Sequence, residues 1–244
     1  MRIARLRNAG GDVVHARWAG DDWTPIEDPY AAFATGRRPV DVGGELRGRP
    51  LAASAPLVVV GIAQNGPGHE SPVQAWLKSP RTVVASGETV TLRRDAGTTV
   101  AEGEVAVVIG RDTAGLTAAN AHEYVLGVTA VNDLSSPDRS AFDPRNFEPK
   151  AGDGYTPLGP WIDTAADIDD VALVLRVDGA PVAESGSRSL PVSIRDCLAY
   201  VAEWMRLGPG DVIMTGAPVA QSPIAPGTVV EVEVAGMRLV TPTA

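Results

Sequence analysis

Glu102-Gly103-Glu104 runs directly into the apolar stretch Val105 to Ile109, and Asp133 closes a second apolar run, Val128-Thr129-Ala130-Val131-Asn132. A strand sends alternate side chains to one face, so Glu102 and Glu104 would point the same way. If the strand ending at Asp133 lies beside the first, three acidic oxygen donors converge at the edge of a buried sheet. Unpaired buried charge is costly, so such a cluster calls for a cation. Oxygen-only donors suit Mg²⁺ or Mn²⁺ better than Zn²⁺. The same E-x-E spacing also occurs on the solvated face of an antiparallel pair, and a single Asp after an apolar run is a common strand-end residue. Spacing alone leaves both readings open.

The elements that must position these residues are mostly strands. Val58 to Val60, Val83-Val84, Thr89 to Leu92, Val105 to Ile109, Val128 to Val131, Val171 to Val177, Asp211 to Met214 and Val229 to Val234 are rich in β-branched residues. Gly, Pro or Asp bounds most of them. Two helices are predicted. Thr117 can cap Ala118 to Leu126, which Gly127 ends. Ser193 with Asp196 begins the other, with apolar positions at Ile194, Leu198, Val201 and Met205, and Gly208-Pro209-Gly210 stops it. Strands and helices do not alternate regularly, which argues against a doubly wound parallel sheet. The expectation is a mainly β (α+β) protein, a mixed or antiparallel sandwich or roll with a few helices. Residues 1–55 read as a small N-terminal β-rich domain, with Met1 to Arg7 alternating like an edge strand, and 56–244 as the main domain. The stretch from Leu134 to Thr156 lacks periodicity and follows Asp133 directly, which marks it as a site loop.

Composition narrows the function classes. A net charge of −9 argues against a general nucleic-acid binder. No run approaches the roughly 18 apolar residues of a membrane span, and no apolar signal core follows the basic start, so a cytoplasmic protein is expected. The one cysteine, Cys197, excludes an intrachain disulfide and reads as a buried structural thiol. With three histidines and neither a CxxC nor an HExxH, zinc or iron is not expected.

Taken in order, several segments resemble the fumarylacetoacetate hydrolase family. Glu102 to Gly110 is similar to its E-x-E-L-A-V-V-I-G strand, and Trp76-Leu77-Lys78-Ser79-Pro80 to its F-L-K-P-P. Val131-Asn132-Asp133 resembles its A-N-D, and Lys150 to Trp161 its K-x-x-D-x-x-x-P-x-G-P-W. Gly210 to Pro218 resembles its G-D-V-I-L-T-G-T-P. The match covers roughly residues 57 to 240.

The resemblance implies a mixed β-roll that binds one divalent metal, Mg²⁺ or Mn²⁺, through Glu102, Glu104 and Asp133. It implies site lysines at Lys78 and Lys150 and a site threonine at Thr215. Such enzymes act, typically as homodimers, on 2-oxo and 1,3-dicarbonyl acids by C–C hydrolysis, decarboxylation, hydration or keto–enol isomerisation. A 2-oxo acid can chelate the metal through its carboxylate and keto oxygens, and the metal then stabilises an enolate. Lys150 would offset negative charge on the substrate, and Thr215 would hold its carboxylate.

The chain also departs from the family. The N-Y-x-x-H-x-x-E of hydrolytic members becomes Asn65-Gly66-Pro67-Gly68-His69-Glu70-Ser71-Pro72, with Pro72 at the glutamate position and a shorter following segment. Asn65 and His69 keep their spacing, as substrate-binding and catalytic candidates. The family arginine position is Pro137, leaving Arg139 nearby as a substrate-binding candidate. The expected function is a metal-dependent hydrolase, or a decarboxylase or tautomerase, acting on an oxoacid. The alternative is a non-catalytic, metabolite-binding relative that has lost the His/Glu pair.

Overall fold

The computed structural model describes residues 1–20, 22–44, 46–64 and 74–244. Asn65, His69 and Pro72 therefore lie outside the described residues. Among those described, strands predominate, and no helix is long and apolar enough to cross a membrane.

The chain begins with β1 (Arg2–Asn8), β2 (Val13–Trp18) and β3 (Trp23–Pro25), an antiparallel run in which Ile3, Ala4 and Leu6 of β1 are buried. Helix α1 (Pro29–Ala34) starts where the Asp28 carboxylate accepts the amides of Tyr30 and Ala31. Its Phe33 ring fills the space that a side chain at Gly110 would need, so the amino-terminal block packs on the main sheet. Strand β4 (Gly48–Pro50) pairs with β1. The alternation of Met1 to Arg7 reads as an edge strand, but β1 has neighbours on both sides: β2 on one, and on the other β4 and, through Arg2 and Ile3, Asp163 and Ile162. Alternation reports which face is wet. It carries no information about what lies alongside.

Next come β5 (Val59–Ile62), β6 (Ala75–Lys78), β7 (Val83–Ala85), β8 (Thr99–Ile109) and β9 (Val125–Asn132). Strand β8 is central. Its Val105, Val107 and Ile109 enter one apolar core while Ala106 and Val108 enter another, so an unbroken apolar run is required. The helix expected over 118–126 does not form. Asn120 Oδ1 accepts from the Thr117 amide (2.7 Å) and hydroxyl (3.0 Å), closing a local turn. A short 3₁₀ turn over Ala121–Tyr124 follows, and β-branched Val125 already opens β9. Thr89 to Leu92 also falls short of a strand, contributing a bridge between Val90 and Thr243.

Helix α2 (Phe147–Lys150), β10 (Thr156–Leu158) and β11 (Ile162–Asp163) return the chain to β9. The hairpin β12 (Ala172–Val177) and β13 (Ala180–Gly186) then opens a second sheet. Helix α3 (Ile194–Trp204) forms as its sequence suggests, capped by the Ser193 hydroxyl and burying Ile194, Cys197, Leu198 and Val201. Burial pushes the Cys197 thiol up to about 12, so it is protonated at neutral pH. Strands β14 (Val212–Met214) and β15 (Gln221–Ile224) pair with successive halves of β8. Finally β16 (Val229–Val234) and β17 (Met237–Pro242) complete the second sheet in the order β13-β12-β16-β17. Val230, Val232 and Val234 point inward against Leu173 and Leu175, with Glu231 and Glu233 between them on the other face. The result is a mainly β protein of two packed sheets with few helices, as the sequence pattern suggests.

Candidate metal centre

Strand register brings the acidic residues together. In the β8–β9 pair Gly103 faces Asn132 and Glu104 faces Val131, which sets Glu102 opposite Asp133. Directly opposed residues share a face, as do residues two apart on one strand. Glu102, Glu104 and Asp133 thus project together, and each offers a carboxylate oxygen within 4.8 Å of the others. All three are buried. Gly103 points the other way, where a Cβ would lie 3.4 Å from Leu175 and Val232 of the second sheet.

Two lysines enter the cluster. Lys150, at the end of α2, donates to Glu102 Oε2 at 2.6 Å and to Asp133 Oδ2 at 2.5 Å. Lys78, at the end of β6, donates to Asp133 Oδ1, to the Tyr155 carbonyl at 2.6 Å and to the Leu134 carbonyl at 3.4 Å. These contacts account for all three ammonium protons of Lys78, which thereby orients Asp133. Burial pulls Lys78 below its ordinary value against the attraction of Asp133. Lys150 is held above its ordinary value by Asp133, Glu102 and Glu104 although burial opposes its charge. Burial likewise opposes the charge of Asp133, yet Lys150 and Lys78 hold that carboxyl below the usual range.

Glu104 is the unbalanced member. No ammonium group contacts it among the described residues, and its Oε2 accepts the Gly216 backbone amide at 2.7 Å. Burial, then the charges of Asp133 and Glu102, push its carboxyl well above the usual range, and burial also raises Glu102. With all three carboxyls ionised, two ammonium groups would leave one negative charge unmet, and the raised Glu104 carboxyl is the one that a cation would allow to ionise. The donor set is all oxygen. Both facts fit a small hard divalent cation.

The remaining sequence candidates are placed less centrally. Thr215 is buried beside the cluster, but its hydroxyl donates to the Val105 carbonyl at 2.7 Å. Arg139 lies in a 3₁₀ turn (Pro137–Ala141), its Nε 2.7 Å from Glu148 and its guanidinium 4.8 Å from the Phe142 ring centroid. It does not join the acidic group. The segment 134–156 is not structureless. Asp138 accepts the Thr98 amide at 2.7 Å, Asp143 accepts that of Glu148 at 2.8 Å, and the segment delivers Lys150.

Three contributors escape the sequence reading. The Gly216 amide holds Glu104, and the positive φ of Gly216 (100°) makes glycine necessary there. The Trp76 ring lies 5.2 Å from Lys150 Nζ, and the space a Cβ would need at Gly61 is occupied by that indole. Gln64 is buried against the turn that carries Gly216. The Thr-Gly pair was a visible turn signal; a buried glutamine at a strand end carried none.

A family model described as fumarylacetoacetate (FAA) hydrolase, C-terminal, matches residues 51–242. A 4-hydroxyphenylacetate degradation bifunctional isomerase/decarboxylase of Salmonella dublin is 35% identical over 205 residues, covering 78% of this chain but 47% of its own length. The chain thus spans about half of that relative. The crystal structure of 5-carboxymethyl-2-hydroxymuconate delta-isomerase from Mycobacterium smegmatis superposes with a TM-score of 0.89 at 30% identity, covering 100% of this chain and 99% of its own. A 2-hydroxyhepta-2,4-diene-1,7-dioate isomerase from Mycobacterium marinum does so with a TM-score of 0.89 at 27% identity, covering 100% and 98%.

Proposed function

The chain belongs to the fumarylacetoacetate hydrolase family, and we propose that it is a divalent-metal-dependent enzyme acting on a 2-oxo or 1,3-dicarbonyl acid. The observation that carries this reading is the buried triad Glu102, Glu104 and Asp133, one carboxyl more than its two lysines balance. These three residues would hold Mg²⁺ or Mn²⁺. The cation would supply Lewis-acid polarisation of the substrate's oxygens.

The chain's own groups then divide the work. Lys78 fixes Asp133, and Lys150 sits where its charge would offset that of an incoming carboxylate. Thr215 would turn its hydroxyl from Val105 toward the substrate. Asn65 and Arg139 are further substrate contacts in this reading, and His69 its proton carrier. Pro72 replaces the glutamate that would partner His69 in water activation. That substitution, together with the isomerase and decarboxylase names of the similar proteins, favours decarboxylation or tautomerisation over C–C hydrolysis. Both favoured reactions proceed without an activated water. The proposal extends to a cytoplasmic homodimer in which residues 1–55 form a small appended unit.

The test is a screen of the purified protein, with Mg²⁺ or Mn²⁺, against oxaloacetate, acylpyruvates and unsaturated 2-oxo diacids. Metal-dependent consumption of at least one, lost on adding EDTA and restored by metal, is expected. Turnover of none of these classes would favour a metabolite-binding relative.

A further inference from the structure

We propose that Gln64 is a positioning residue for the acidic cluster, acting through the turn Thr215-Gly216; the inference rests on the metal-binding reading above. Gln64 follows the end of β5 and is 1% exposed. Both ends of its side-chain amide are hydrogen-bonded. Nε2 donates to the Thr215 carbonyl at 3.1 Å and the Val192 carbonyl at 3.3 Å, and lies 3.2 Å from Cys197 Sγ. Oε1 accepts the Val192 amide at 2.8 Å. One buried side chain thus ties the Thr215-Gly216 turn to the start of α3.

The turn is fitted to Gln64 on its other side as well. A Cβ at Gly216 would stand 2.6 Å from Gln64 Cβ and 2.7 Å from its carbonyl oxygen, so the two backbones approach as closely as glycine permits. The Gly216 amide, aimed by this contact, is the group that holds Glu104 Oε2 at 2.7 Å. Glu104 lacks the ammonium partner that Glu102 and Asp133 each have among the described residues. Its orientation therefore depends on that one amide more than its neighbours' orientations depend on any single donor. Removing the Gln64 side-chain bonds frees the turn to drift, and a ligand oxygen drifts with it.

The experiment is calorimetric titration of the full chain with Mn²⁺, alongside thermal unfolding of the metal-free protein. Gln64→Leu keeps the volume and removes the hydrogen bonds. It is expected to weaken Mn²⁺ binding about 10-fold, the lower end of what loss of a group supporting a metal ligand costs. Cys197→Ala, which removes another Gln64 partner and leaves a small void, is expected to lower the melting temperature while keeping Mn²⁺ affinity within about twofold. If Gln64→Leu does not fold, Gln64→Asn, whose amide stops one methylene short, is judged by the same 10-fold criterion. An Mn²⁺ affinity unchanged in the Gln64 variant would overturn the inference while leaving the metal site standing. Equal losses in the Gln64 and Cys197 variants would also overturn it, by showing general loosening. A wild-type protein that binds no Mn²⁺ would overturn the metal reading and this inference together.

Discussion

Glu102 and Asp133 stand directly opposite each other across the β8–β9 pair, the Asp133 amide donating to the Glu102 carbonyl at 2.8 Å. The backbone bond fixes the register. The register, in turn, places both carboxyls and that of Glu104 on one face of the sheet. Gly103 lies between the two glutamates on the opposite face, against the second sheet, and its lack of a side chain sets how closely the sheets approach there.

Gly103→Val should therefore press on Leu175 and Val232. Overpacking of a tight core typically costs about 1–3 kcal/mol. Equilibrium urea unfolding of the metal-free protein is expected to show a loss of that order; a variant as stable as wild type would mean that the sheets separate freely at this point.

Lys78 bonds Asp133 and two backbone carbonyls from a fully buried position. Lys78→Met keeps the bulk but leaves the Asp133 carboxylate with Lys150 as its remaining cation. Removing one member of a buried pair costs about 3–5 kcal/mol. Denaturant unfolding checks the magnitude, and loss of under about 1 kcal/mol would show that Lys150 alone suffices.

His15 gives a pH dependence remote from the acidic cluster. Burial, opposed by Asp28 and reinforced by Arg5, lowers its pKa, with the ring edge-on to Tyr30 at 5.9 Å. The folded state then binds a proton less readily than the unfolded one. Stability from this group is complete above the ordinary histidine value, about 6.5, and declines as pH falls toward the lowered folded value. His15→Gln should flatten the fall in stability that sets in as pH drops through the ordinary histidine value, about 6.5. Parallel profiles for wild type and variant would remove His15 as the cause.

Much of the architecture was legible because burial writes itself into periodicity. The V-V-E-V-E-V of β16 reads directly as one wet and one dry face, and the Ser193 cap with its apolar spacing marks α3. The misreadings had local causes. Asn120 closes a turn where propensity suggested a helix, and β1 gains lateral neighbours that alternation cannot report. At the acidic cluster, residue types and period-two spacing indicated the three carboxyls. The backbone partners, one donor and one acceptor, were not legible. The Gly216 amide and the Tyr155 carbonyl act through positions that only the folded chain defines. Gln64 was hidden for a related reason, since a polar side chain at a strand end reads as surface until its partners are seen.

The most direct test of the metal centre is calorimetric titration of wild type and Glu104→Ala with Mg²⁺ and Mn²⁺, paired with thermal unfolding of each metal-free protein. Wild type should bind one ion per chain, and the variant should lose tight binding. Having shed a buried carboxyl that no ammonium contacts among the described residues, the metal-free variant should unfold no earlier than wild type. Equal metal affinity in the two proteins, or no binding by wild type, would contradict assignment of Glu102, Glu104 and Asp133 as the cation's ligands.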